Sequence, residues 1–294
     1  MQEKHAYFKN SLLSYWFLFP QLMVTFLFFL WPAAQAIKSS FEREDPFGFT
    51  TTFIGFENYV TVLSDPAYLK SLFTTAVFSV SVTVTSMTIS LLLAVCVDRV
   101  IRSKKVYTTL LLWPYAVAPV LAGILWLFIF HPTIGIVPIL LEKIGIIWNY
   151  RINGTQAMIL IVIAASWKQI SYNFLFFLAG LQSIPRSQIE AAAIDGASPF
   201  KRFWTVVFPQ ISPTTFFLLI INIHYVMFDT FGIIDTITSG GPARATSTLV
   251  YKVYDDGFKN QIIGASAAQS TILMLMVIAL TFIQFRWIER RVQY

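Results

Sequence analysis

Apolar residues in this chain come in long unbroken blocks, not in the alternating or one-faced patterns of a soluble fold. Charge-free runs cover 12–32, 71–97, 106–130, 203–228 and 260–285, and a sixth, 156–185, is interrupted by Lys168 alone. A helix needs about 20 predominantly apolar residues to cross a bilayer, so the pattern predicts six membrane-spanning helices. Pro114 and Pro119 fall inside the third run, where proline marks a bend. The first run is too long and too aromatic for a signal peptide and lacks a small-residue cleavage site, so it reads as a retained span. Between the runs lie a loop-like acidic segment, 33–70, with a short amphipathic piece from Glu57 to Leu63, a tight basic loop at 98–105, and segments at 131–155, 186–202 and 230–259. The last contains Ser239-Gly240-Gly241-Pro242, a strong turn signal. The chain divides into 1–70 (tail, first span and external loop), 71–286 (a core of five spans with an inner loop at 182–213) and a tail, 287–294. The fold class is all-α and polytopic.

Composition supports this reading. Of 294 residues, 56% are hydrophobic and 12% charged, and mean hydropathy is +0.66. Soluble domains carry about twice that charge, so a soluble enzyme and a disordered chain are excluded. The single cysteine, Cys96, excludes a disulfide framework. With six spans, one side of the membrane holds twelve Lys and Arg against five Asp and Glu, and the other holds eight against ten. Positive charge concentrates on the inner side, which places both termini and the 186–202 segment in the cytoplasm. The basic isoelectric point of about 9.4 therefore reflects topology, and no nucleic acid is implied.

The segment between the fourth and fifth spans carries the most local information. Ser187 and Glu190 have the spacing of a capping box, and three alanines favour helix. Gly196 suits the left-handed position that ends a helix, and Ser198 with Pro199 suits the start of another. The expectation is two short helices around a glycine turn. The small face of Ala191, Ala192 and Gly196 allows another surface to approach closely. On these residues alone, an ordinary interfacial helix pair is the competing reading.

The string Glu190-Ala191-Ala192, three residues, Gly196, nine residues, Val206-Val207-Phe208-Pro209 resembles the EAA motif of ABC importer permeases. Val206 and Phe208 stand where the motif has Ile and Leu, and both remain apolar. The resemblance implies the type I ABC importer permease fold, with Glu190, Ala191, Ala192, Asp195, Gly196 and Pro209 coupling the chain to a cytoplasmic ATPase. Further strings resemble one branch of that family, the A-type permease subunits of sn-glycerol-3-phosphate importers. These are Asp45 to Phe49, Pro114 to Pro119, Trp167 to Phe177, Leu181 to Gly196, Ser239 to Pro242 and Ala267 to Ser270. This implies a heterodimer with a second permease, two copies of an ATPase, and a periplasmic binding protein that meets Ser239, Gly240, Gly241 and Pro242. It further implies a small phosphorylated solute, glycerophosphodiesters included, and an inner-membrane location. A permease for a sugar or other small polar solute, and a stand-alone secondary transporter, are the alternatives.

Polar groups inside the spans supply candidates for a substrate path. Lys168 near mid-span must face the bundle or water. It either meets a phosphate in transit or pairs with an acid, and Asp229 is available for that role. Tyr172 lies one turn on, beside Asn173. Asn222, Tyr225 and Asp229 form a polar stripe in the fifth span that suits either glycerol hydroxyls or interhelical hydrogen bonds. His224 falls on another face, where it packs. Gly264 to Ala268 and Ser270 suit close helix packing. No phosphate-binding loop is present, so ATP and Mg belong to the partner ATPase, and the chain carries no cofactor and is not itself an enzyme. Three scattered histidines and one cysteine offer no metal site.

Overall fold

The computed structural model describes residues 11–45, 50–99 and 104–288, almost all of them helical. Pro46 to Phe49, the cations Lys4, Lys9, Arg102, Arg290 and Arg291, and the tail from Glu289 lie outside the described residues. The chain forms two compact units, Met1–Leu63 with Asp256–Ile272, and Ser64–Asp255 with Leu273–Tyr294.

In the first unit, α1 (Ser11–Thr25) continues through a π-helical turn, Phe26–Leu30, into α2 (Trp31–Ser39). Tyr15–Ser39 is long and apolar enough to span a bilayer, and no residue of its apolar window is buried inside the protein. The segment after it departs from the loop-like expectation. β1 (Glu42–Glu44) pairs antiparallel with β2 (Thr51–Phe53), with Arg43 opposite Thr52. The sequence hides this hairpin because neither strand buries a face. The hairpin is held by α3 (Glu57–Ser64): Asn58 Nδ2 donates to the carbonyls of Ser40 and Glu42, each at 2.9 Å. Phe41 packs its ring among Phe53, Phe56 and Tyr59. Gly264 lies so close that an added Cβ would stand 2.5 Å from the Glu42 carbonyl oxygen.

The second unit runs from α4 (Pro66–Asp98) through α5 (Lys104–Leu112), α6 (Pro119–Ile129), α7 (Ile136–Glu142) and α8 (Gly154–Ser183). It continues with α9 (Arg186–Ile194), α10 (Pro199–Arg202), α11 (Phe208–Gln210), α12 (Ser212–His224), α13 (Phe231–Ile237) and α14 (Leu249–Tyr254). The long helix α15 (Ile263–Ile283) ends here. Asp65 starts α4, its carboxylate accepting from Ala67 N–H at 2.9 Å with Pro66 in the first turn. Asn153 starts α8 by accepting from the N–H groups of Thr155 and Gln156.

Among the described residues, four helices are long and apolar enough to span a membrane, or up to six if two bent pairs each count as one span. The third predicted run bends by 102° between Lys104–Ala116 and Pro119–Ile129. Val117 and Ala118 are extended there, because a residue preceding proline is driven out of helical geometry. The fifth bends by 68° between Pro199–Gln210 and Ser212–Asp229, with Ile211 just before Ser212-Pro213 at the break.

The most extensive helix pairing is α4 on α8. Ser71, Thr75, Ser86, Ser90 and Ala94 of α4, and Ala157, Ala164, Ala165 and Ser171 of α8, are buried. Small side chains let backbones approach where no hydrophobic driving force separates helix from lipid. Two apolar cores result. One contains Phe78, Val82, Leu160, Ile161 and Ile233; the other contains Ala94, Phe174, Phe177, Leu181 and Leu218.

Candidate coupling elbow and transport site

The elbow between α8 and α12 follows from its residues. Ile184 and Pro185 are extended, which stops α8 and sets the start of α9. The capping box expected from Ser187 and Glu190 does not form. Pro185 occupies the cap, Gln188 N–H bonds its carbonyl at 3.1 Å, and no side chain caps the helix. The proline's fixed geometry puts Ser187 inside the first turn, too late to cap it. The other end behaves as expected. Gly196 has φ +79°, Ala197 N–H reaches Ala192 C=O and Gly196 N–H reaches Ala193 C=O, both at 3.1 Å, which is a Schellman closure. Ser198 Oγ then accepts from Lys201 N–H and opens α10. Gln210 donates to Gln188 at 2.6 Å, tying α11 to α9.

Glu190, Ala191, Asp195 and Gly196 are exposed, while Ala192 and Pro209 are half-buried. Ile194 is 87% exposed and Phe200 76%. Among the described residues, Glu190 and Asp195 have no ion-pair partner. Acid groups beside uncovered apolar side chains make a surface suited to being covered by another protein.

A buried polar layer lies between the two cores. Asn222 Nδ2 donates to Asn173 Oδ1 at 2.8 Å, and Asn173 Nδ2 returns a bond to Asn222 Oδ1 at 3.1 Å. Ser86 Oγ donates to Asn222 Oδ1 at 2.9 Å. All three residues are fully buried. Tyr225, also buried, donates to the Ala165 carbonyl at 3.1 Å. Asn173, Asn222 and Tyr225, with Ser86, thus join α4, α8 and α12 inside the helix packing. Ser86 is a member that the sequence reading missed; its signal was the ladder of hydroxyls at Ser86 and Ser90, four residues apart.

Asp229 does not share that layer. A π-helical turn, Tyr225–Asp229, breaks the 3.6-residue spacing, and Asp229 is exposed. Lys168 is half-buried, with Nζ 5.5 Å from the centre of the Tyr115 ring, a cation–π distance. Among the described residues it makes no ion pair with Asp229. Tyr172 contacts both Tyr115 and Phe176. Lys168 and Tyr172 therefore belong to an aromatic-lined, half-open face, apart from the asparagine pair. His224 bonds the Ile220 carbonyl, consistent with packing.

Gly240 is 2.5 Å from Tyr251 by its added Cβ, and Thr246 Oγ1 donates to the Gly241 carbonyl at 2.7 Å. Ser239, Gly241 and Pro242 line a recess of about 260 Å³ with Tyr150 and Arg151. Arg151, which the sequence reading passed over, supplies the charge there. Lys70 bonds the Ala243 carbonyl at 3.0 Å, and Lys252 pairs with Asp65 at 3.2 Å. The turn is strapped to α4.

The family model described as binding-protein-dependent transport system inner membrane component matches residues 12–294. Among curated proteins, the sn-glycerol-3-phosphate transport system permease protein UgpA of Brucella abortus is 59% identical over 98% of this chain and 98% of that protein. The protein of the same name from Agrobacterium fabrum is 56% identical over 98% of both chains. That from Pectobacterium atrosepticum is 52% identical over the whole of both. Among solved structures, a bacterial ABC transporter involved in import of the acidic polysaccharide alginate superposes with TM-score 0.80 at 20% identity, covering 95% of this chain and 97% of that one. An inward-facing MetNI methionine ABC transporter gives TM-score 0.55 at 14% identity, covering 81% and 99%.

Proposed function

Because the chain belongs to the family of binding-protein-dependent transport system inner membrane components, we propose that it is the permease subunit through which an ATP-driven importer moves sn-glycerol-3-phosphate. The observation that carries the substrate is 52–59% identity, over 98–100% of this chain, to relatives named for that solute. The protein is a multi-pass inner-membrane protein with the type I ABC importer permease fold. Both termini face the cytoplasm. It pairs with a second permease, and two copies of an ATPase serve the assembly.

The elbow at 186–210 transmits ATPase closure, because its turn, caps and Gln188–Gln210 bond make it a stiff lever with an uncovered apolar tip. A periplasmic binding protein delivers solute at Ser239 to Pro242. ATP and Mg belong to the partner ATPase, and this chain performs no hydrolysis. A phosphate crossing the bilayer needs a cation or helix N-termini along its route; Lys168, held over Tyr115, supplies a cation.

Reconstitution of the full assembly in proteoliposomes tests this reading. Loaded binding protein should stimulate ATP hydrolysis with sn-glycerol-3-phosphate and glycerophosphodiesters, and not with sugars. Lys168→Met should erode that preference. Equal stimulation by sugars would overturn the substrate, and an unchanged preference in Lys168→Met would remove the lysine from the route.

A further inference from the structure

Two recesses meet beneath the elbow. One, of about 310 Å³, lies between the end of α4 and both arms of the elbow, with Asp98, Arg99, Ile189 and Arg202 on its walls. The other, of about 600 Å³, runs along α4 past Leu91 and Leu92 to Phe203 and Trp204. Val95, Arg99, Pro199 and Phe203 line both, so the two form one trough. Its long part is apolar and its end is charged. Asp98 is already neutralised by Lys104 at 3.1 Å. Among the described residues, neither Arg99 nor Arg202 has a carboxylate within ion-pair distance. The trough end therefore presents two uncompensated guanidiniums. Trp204, 49% exposed, stands at its rim as interfacial aromatics do.

We propose that this trough binds an anionic phospholipid in the leaflet on the elbow side, with its phosphate on Arg99 and Arg202 and an acyl chain along Leu91, Leu92 and Phe203. Guanidinium forks match phosphate oxygens, and basic pockets between membrane helices take anionic headgroups. Charge selects the occupant. A free phosphate leaves the apolar length unfilled, and a zwitterionic lipid sets its own cation against the arginines. Ile189 belongs to α9 and Arg202 to α10, so the bound lipid braces both arms of the elbow and makes ATPase coupling depend on headgroup charge. This inference does not depend on which solute is carried.

The test uses the full assembly in vesicles containing phosphatidylglycerol with a photoreactive acyl chain, followed by mapping of labelled peptides. Labelling should fall within 87–95 and 199–208 and exceed that from the phosphatidylcholine analogue about thirtyfold, as expected for two basic side chains near an anionic surface. The double substitution Arg99→Gln, Arg202→Gln should erase the headgroup difference, and the Lys pair should keep most of it. The wild-type comparison stands even if a variant fails to assemble. Equal labelling by both headgroups, displacement by excess inorganic phosphate, or a trough left unlabelled because another subunit covers it would each overturn the proposal.

Discussion

The reciprocal Asn173–Asn222 pair gives each amide one donated and one accepted bond inside a membrane core, with Ser86 completing the layer. Replacing Asn222 by Leu strands the Asn173 amide in apolar surroundings, at about 1–3 kcal/mol. Replacing both asparagines removes the stranded group together with its partner, so the double variant should be more stable than additivity of the singles allows. Unfolding of the purified assembly in mild detergent measures this cycle. A strictly additive result would mean that the two amides do not depend on one another. The Asp65 carboxylate behaves differently, because water reaches it. Partial burial pushes its pKa up, but the Ala67 N–H and the cations Lys252 and Arg244 outweigh that and hold it below the usual aspartate range. A carboxyl lowered on folding stabilises the folded state above its unfolded pKa. That contribution is lost as pH falls from the usual aspartate range through the lowered value. Asp65→Asn should therefore lose stability at neutral pH and show a smaller further loss on acidification than the parent, read from thermal unfolding between neutral pH and the acid limit of the assembly.

The elbow shows which features of an element can be read from a sequence. Gly196, Ser198 and Pro199 act through their own backbone or a neighbour three residues away, so their roles were legible. Ser187 was misread because the preceding Ile-Pro pair fixed the helix start, and proline geometry overrode the capping signal. The stripe of Asn222, Tyr225 and Asp229 holds for its first two members, which are buried, and breaks at Asp229, which is exposed. A π-helical turn alters the period, and no residue type announces it. The β1–β2 hairpin was invisible because its strands bury nothing that would imprint an alternating pattern. Within the elbow, an added Cβ at Gly196 meets nothing within 4 Å, so substitution there acts through φ alone. Gly196→Val should destabilise the elbow by about 1–2 kcal/mol, and Gly196→Asn by less. Uptake and stimulated ATP hydrolysis should fall while the amount of inserted protein holds. If the Asn and Val variants lose equally, backbone strain is not the cause.

For the whole molecule, the apolar runs marked the spans, which were legible in the sequence, and the basic residues predict their direction. The break in the third run was legible in Pro114 and Pro119, but the angles of 102° and 68° were not, because hydropathy counts length and is blind to angle. Orientation is open to a direct check. In a background with Cys96→Ser, Ser239→Cys in intact cells should react with a membrane-impermeant maleimide, and Ser187→Cys should react only after the membrane is opened. The reverse pattern would invert the topology and place the elbow beyond reach of any ATPase.

One consequence concerns Tyr15–Ser39, whose apolar window buries nothing. Trp16, Phe17 and Phe28 are each about seven-tenths exposed, and the ring facing Trp16 is Phe19 of the same helix, with centroids 6.4 Å apart. Selection acting through this chain alone can demand only oiliness there, not a fitted outline. Wherever swapping these rings for leucine does impair the importer, the damaged position will trace the footprint of a foreign surface leaning against it.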